Sequence, residues 1–353
     1  MTGPSFPPAA RMAVLLSGGV DSAVAASLLR DAGPHVEAVT LLLHGGEDAE
    51  SARRLAGKMG IPWTLLDLRP QFRARVLGPF ARACQEGRTP NPCVACNPGL
   101  KLGLAAERVR IERGIGHLAT GHYARLVRDG QGTTRLARPM DLARDQSYFL
   151  YRIPPVQLPA LCFPLGDRPG KPWARSYAHA LGLPCAGKPD SMDLCFLPRG
   201  GLPAWLAAYA ESVNPKTMRP GGIYDTAGKR LGTHGGIAFY TVGQRKKLGA
   251  YREPLYVVSI NAMENRVIIG PRHEASRREV AAIRPVFHMA LAEGGRAWGR
   301  LRSGAEPAPC VVTEAREGRL AVLFDVPLFA PAPGQHLVLY DAEGLVMGGG
   351  EIN

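Results

Sequence analysis

The sequence predicts an α/β domain built on a parallel sheet, followed by all-β modules. Three observations carry this reading. Between Met12 and Leu66, apolar runs alternate with helix-patterned segments. Ser17-Gly18-Gly19 follows the first apolar run and opens the first helical pattern. After about residue 200 the helix patterning gives way to short, Gly-rich alternating runs. Strand–helix–strand alternation needs crossovers, and these put helices on both faces of a parallel sheet. Short strands at regular spacing with turns between them mean an all-β module.

Residues 1 to 10 read as a loose, Pro-rich tail. Met12–Leu16 is a short apolar run ended by a Gly pair, which predicts a buried strand and a tight turn. Ser22–Arg30 is rich in Ala and Leu and predicts a helix, stopped at Gly33-Pro34. Val36–Leu43 is a second strand, Ala49–Met59 a second helix closed by Gly60, and Ile61–Leu66 a third strand. Residues 70 to 113 read as helices separated by GRTPNPCVACNPG, whose Pro and Asn content predicts a surface loop. Ile115–Thr120 is another strand. Tyr123–Val127 and Thr133–Ala137 form a hairpin about Asp129-Gly130. A short helix covers Pro203–Glu211. Strands are expected at Gly222–Tyr224, Gly235–Val242, Leu255–Ile260 and Arg266–Gly270. Others follow at Ala297–Arg302, Cys310–Thr313, Leu320–Phe324 and His336–Tyr340.

The 353 residues are 46% hydrophobic, which fills two or three cores and excludes a disordered chain. The net charge of +13 favours a polyanionic partner, with nucleic acid the leading class, although a solvated Arg-rich surface would give the same charge. Seven irregularly spaced cysteines exclude a secreted disulfide framework. The apolar run Met12–Leu16 is too short for a signal core or a membrane span. A reducing, cytoplasmic setting without membrane contact is expected.

Leu15, Leu16, Ser17, Gly18, Gly19, Val20, Asp21 and Ser22 sit between the first strand and the first helix. A Gly pair lets the backbone turn sharply and aim N–H groups at a phosphate, and the helix N-terminus adds positive potential. Ser17 and Ser22 offer hydroxyls, and Asp21 suits Mg²⁺. The Gly-Lys-Ser/Thr ending of the Lys-containing phosphate loop is missing, and so is G-x-G-x-x-G. SGGVDS resembles the pyrophosphate loop of ATP pyrophosphatases, which adenylate an oxygen and release pyrophosphate. An ordinary strand-to-helix turn capped by Asp21 is the plain alternative.

Cys93 and Cys96 form a C-x-x-C pair. Half a zinc site, a redox pair and a single nucleophilic Cys96 are all compatible with this spacing. With Cys195, the pair could also hold zinc or an iron–sulfur cluster. Alone, Cys195 reads as a small buried hydrophobe, as do Cys84, Cys162, Cys185 and Cys310.

SGGVDS, GRTPNPCVACN, ATGHYAR, RDQSYFL, FPLG, KPDSMDLCF, GTHGGIAFYTVGQRKKLG, PLYVV and PGQHLVLYDAEGLVMGGGEI occur in this order. The ordered set, from about Met12 to Ile352, resembles the bacterial tRNA-specific 2-thiouridylases. The resemblance implies an adenine nucleotide alpha hydrolase-like domain over 11–200, a small mostly-β linking domain over 201–275 and a tRNA-binding C-terminal β-barrel over 276–353. It implies ATP-dependent 2-thiolation of the wobble uridine, with Cys96 as nucleophile and Cys195 as the persulfide carrier loaded by a sulfur-relay protein. It places ATP on Leu15 to Ser22 with Leu41 and Gly121 nearby. Asn91, Pro92 and Cys93 match the segment near the target base. His122, Arg144, Asp145, Gln146, Arg302, Ser303 and Gln335 match tRNA-contact positions. The chain departs from the family at Arg144, commonly Lys, at His44, often Trp, and at Met192-Asp193-Leu194. Cluster-dependent thiolation and an amide-forming ATP pyrophosphatase stand as alternatives.

Overall fold

The computed structural model describes residues 10–33, 35–189, 194–209 and 218–353. The expected Pro-rich tail, the Pro34 stop, Met192-Asp193 and the end of the helix expected to reach Glu211 lie outside the described residues. The chain divides into two compact units. One comprises the chain up to Arg75 with Cys93–Leu194 and Glu343–Val346; the other comprises Val76–Pro92, Cys195–Ala342 and Met347–Asn353.

The first unit opens with β1 (Arg11–Leu15), α1 (Val20–Asp31), β2 (His35–Leu42), α2 (Glu47–Met59) and β3 (Trp63–Asp67). Helical segments follow as α3 (Arg69–Phe72), α4 (Gly78–Gln85, in the second unit), α5 (Pro92–Cys96) and α6 (Ala105–Arg113). β4 (His117–Ala119), a hairpin of β5 (Arg125–Arg128) and β6 (Thr134–Ala137), β7 (Leu161–Cys162) and α7 (Lys171–Ala180) complete it. The five-stranded sheet runs β3-β2-β1-β4-β7, all parallel. Met12, Ala13 and Val14 of β1 are fully buried, as a central strand covered on both faces must be. Ala23 and Ala26 of α1 join the same core, their small side chains letting the helix approach the sheet. Strand order reverses at β1, with β2 on one side and β4 on the other. In an open parallel sheet this is the crevice where ligands bind, beyond the carboxyl ends of the strands.

The segment expected as a loop around the C-x-x-C pair is instead helical. Pro92 starts α5, and a π-helical stretch over Asn97–Leu104 joins it to α6. Pro92 sits at the start of its helix, where a missing N–H is tolerated. Val94, Cys96, Asn97 and Leu100 are buried, and that packing outweighs the composition.

The second unit contains α8 (Gly201–Ala208) and a sheet of β8 (Gly221–Asp225), β9 (Arg230–His234), β10 (Tyr256–Asn261) and β11 (Arg266–Gly270), in the order β10-β11-β8-β9. The strand expected over Gly235–Val242 does not form. Gly236 takes φ +139°, its amide donates to His234 Nδ1 at 3.1 Å, and Ile237–Phe239 make a 3₁₀ turn. The remaining strands are β12 (Ser276–Phe287), β13 (Arg296–Arg300), β14 (Ala308–Arg316), β15 (Arg319–Phe329), β16 (His336–Tyr340) and β17 (Val346–Ile352). They close a barrel in the order β12-β15-β14-β13-β16-β17, around Cys310, Val322, Phe324, Leu337 and Leu339. Closure leaves no free edge. The expected α/β domain, small β domain and β-barrel are thus all present.

Candidate active site

Leu15 ends β1, and Leu16 to Gly19 turn the chain into α1 at the switch point. Gly18 takes φ +79°, and a Cβ there would stand 3.0 Å from Ser51 Cβ and 3.1 Å from the Asp48 carbonyl oxygen. The turn therefore demands glycine for conformation and for space. Ser22 Oγ accepts from the Ser17 amide at 3.1 Å, lies 3.2 Å from Ser17 Oγ and donates to the Gly19 carbonyl at 3.1 Å. These bonds hold the loop in shape. Val20 is buried at the start of α1. Leu41 lies near the carboxyl end of the adjacent strand β2, half-buried. Gly121 follows β4, and its Cα packs directly on the backbone of Asp21 and Ser22. The glycine loop and Gly121, far apart in the chain, are thus in backbone contact, and Leu41 lies on the strand paired with β1.

Asp21 is the centre of a side-chain network that sequence spacing does not indicate. Its Oδ1 accepts from Tyr123 Oη at 3.0 Å and its Oδ2 from Lys171 Nζ at 2.6 Å. The Tyr123 amide in turn donates to Gln146 Oε1 at 2.8 Å, and the Gln146 amide to the Tyr123 carbonyl at 2.9 Å. Asp21 and the hydroxyls of Ser17 and Ser22 are oxygen ligands of the kind a hard cation takes, and the Asp21 carboxylate is one-third exposed.

Cys93 and Cys96 lie on α5. Cys96 is buried and Cys93 half-buried. Burial raises the Cys93 thiol pKa, and the nearby Lys101 ammonium pulls it back. His122 is held neutral: burial, assisted by Lys101, pushes its pKa down to about 3. Its Nδ1 lies 2.7 Å from Thr120 Oγ1. His44 is also depressed, first by burial and in smaller part by Lys101. Lys101 is thus a cation near Cys93, His44 and His122 that the sequence reading missed. Its only sequence signal is its place about one π-turn beyond Cys96.

Cys195, read from its own surroundings as a buried hydrophobe, is exposed. The next residue, Phe196, anchors the turn, edge-on to Phe80 at 5.4 Å and tilted against Trp205 at 5.0 Å. Cys84, Cys162, Cys185 and Cys310 are buried as expected, and burial lifts the thiols of Cys84, Cys162 and Cys310 to about 12. Among the described residues, no three His, Cys, Asp or Glu side chains are gathered to hold a metal ion.

The remaining expected contact positions differ in character. Arg144 is exposed. Asp145 has no exposed side chain; it pairs with Arg138 at 2.7 Å and accepts from the Ser147 amide and hydroxyl. Asp145 and Gln146 therefore brace the loop that carries Arg144. Within the second unit, Asn91 is half-buried and Pro92 buried. Gln335 Nε2 donates to the Thr89 carbonyl at 2.8 Å, two residues before Asn91. Arg302 donates to the carbonyls of Val242 and Ala330, each at 3.0 Å, and the Ser303 carbonyl accepts from Arg300.

No helix among the described residues is long and apolar enough to cross a membrane. Three family descriptions match in series: a tRNA methyl transferase HUP domain over residues 10–199, a tRNA methyl transferase PRC-barrel domain over 211–271 and an aminomethyltransferase beta-barrel domain over 277–352. The chain is 40% identical over 351 residues to the tRNA-specific 2-thiouridylase MnmA of Synechococcus, covering 96% of each. It is 41% identical to the protein of that name from Methylorubrum populi, covering 99% of this chain and 95% of the relative. With that from Chloroflexus aggregans it shares 39% identity, covering 97% and 98%. Full-length likeness at this level, with the glycine loop seated at the sheet's switch point, makes this chain a member of the tRNA-specific 2-thiouridylase family.

Proposed function

We propose that this chain uses ATP to exchange the C2 oxygen of the wobble uridine, position 34 of tRNA, for sulfur. The observation that carries the reading is family membership over the whole chain, with relatives named for that activity. The buried strand end, the Gly18 turn and the α1 N-terminus suit the triphosphate.

A uracil carbonyl oxygen is a poor leaving group. Attack of O2 on the α-phosphorus forms an O–P bond, breaks the bond to the β-phosphate and sends the electron pair out on pyrophosphate. Loop amides and the hydroxyls of Ser17 and Ser22 stabilise charge as it moves outward. Mg²⁺, held by Asp21 with those hydroxyls, would neutralise the triphosphate. The donor protein leaves a persulfide on Cys195, and the exposure of that thiol suits loading by a second protein. The terminal sulfur attacks C2 and AMP leaves. The Cys96 thiolate then attacks Cys195 Sγ, which frees the sulfur on the base and leaves a Cys96–Cys195 disulfide for an external thiol to reduce. The target base leaves the anticodon stack to react. Asn91, Pro92, Cys93 and His122 serve the base, while Arg144, Arg302, Ser303 and Gln335 serve the tRNA; the basic chain meets the phosphates.

The test uses unmodified tRNA transcript, ATP, Mg²⁺ and a persulfide-loaded donor. Mass analysis should find one sulfur in place of one oxygen at position 34. Cys96→Ser and Cys195→Ser should each stop turnover and leave ATP binding intact. Full thiolation by both variants would overturn the two-thiol scheme, whereas a wild-type chain that binds ATP and adds no sulfur would favour an amide-forming pyrophosphatase, which needs no thiol.

A further inference from the structure

The glycine loop carries no cation of its own, yet a lysine distant in sequence reaches it. Lys171 Nζ donates to Asp21 Oδ2 at 2.6 Å across 150 positions of chain. The lysine side chain is only 7% exposed. It is also the first residue of α7, where the helix dipole repels a positive charge. Burial and dipole both oppose an ammonium there, so pairing with one carboxylate is a poor device for stability.

The placement is nevertheless held firmly. Gly170 precedes it at φ +96°, and a Cβ on Gly170 would stand 1.9 Å from Asp141 Oδ2. Tyr123 fixes the other oxygen of Asp21, and Gln146 fixes Tyr123. Lys171 and Asp21 both lie within electrostatic reach of the buried Cys185 thiol, so the network extends inward from the loop.

We infer that Lys171 is the cation of the nucleotide site: it orients Asp21 and, when ATP is bound, brings its ammonium charge to the β- and γ-phosphates. It stands in for the lysine that the loop lacks. As pyrophosphate departs, the ammonium meets the growing negative charge, and no proton need be exchanged. This deepens the proposed adenylation by naming the group that holds its leaving group.

The test is calorimetric titration of the full chain, with ATP, with Mg²⁺–ATP and with AMP. Lys171→Met should weaken ATP by about tenfold or more, as expected for a lost charge-assisted hydrogen bond, and AMP by far less. Lys171→Arg should recover part of the difference. Lys171→Met combined with Asp21→Asn removes both charges of the pair together, so it keeps the measurement possible if the single variant unfolds. It should remain weak for ATP relative to Asp21→Asn alone. Equal loss for ATP and AMP, or a double variant matching Asp21→Asn, would reduce Lys171 to a structural partner and overturn the inference. These readouts need no thiolation. Failure of the wild-type chain to thiolate tRNA would therefore sink the functional reading and leave the lysine assignment standing.

Discussion

Gly121 lies so close to Asp21 that a Cβ on it would stand 2.7 Å from the Asp21 carbonyl carbon and 2.7 Å from the Ser22 amide nitrogen. The loops after β1 and β4 are therefore in backbone contact, with no room for even a methyl group. Gly121→Ala should push the Asp21–Ser22 backbone off its position. We expect a stability loss of roughly 1–3 kcal/mol, the usual cost of overpacking. ATP affinity should fall alongside. Denaturant melts and nucleotide titration measure the two effects, and an unchanged affinity would separate Gly121 from the nucleotide site.

The three positions over Arg144 to Gln146 should divide by burial. Arg144→Ala should weaken tRNA binding and lower the salt slope by about one, with little change in stability. Asp145→Asn should act on the fold instead, because it strips a fully buried carboxylate from Arg138. Breaking a buried pair from one side destabilises by about 3–5 kcal/mol. Filter binding across a salt series, with parallel unfolding curves, tests both halves.

His122 makes a prediction about acid stability. Its folded pKa is depressed to about 3 from an ordinary 6.5. The unfolded chain therefore binds the proton more readily between those values. Stability from the neutral ring is fully present above about pH 6.5 and is lost as pH falls toward 3. His122→Gln should flatten that acid limb, and melting temperatures taken from pH 7 to pH 4.5 would show it. An acid limb as steep as wild type would count against a desolvated neutral ring.

Thiol labelling of the native chain should be selective. Cys195 is exposed, whereas burial holds Cys84, Cys162 and Cys310 at about 12. A limiting dose of iodoacetamide at pH 8 should reach Cys195 well before those three, because the thiolate is the reacting species. Peptide mapping by mass gives the order. Early modification of Cys310 would contradict its place in the barrel core.

Much of this protein was legible in the chain order of its residues. Periodicity located β1, α1, β2, α2 and β3 to within a few residues, because a buried parallel strand must be apolar along its length. The Gly pair marked the turn, and the ordered motifs marked the family. What periodicity missed follows from long-range packing. Composition argues for a loop at Pro92–Cys96, but burial of Val94 and Cys96 winds it into a helix. An alternating pattern argues for a strand at Gly235–Val242, but the positive φ of Gly236 and its bond to His234 break it. Asp145 matches a tRNA-contact position by its motif, but its carboxylate is shielded from solvent and paired with Arg138. Lys171 carries no local signal at all, since nothing in a linear pattern says that a lysine will stand 2.6 Å from an aspartate 150 residues earlier. Local sequence sets which backbone states are cheap. Only the folded chain sets which distant charges must share one dry place.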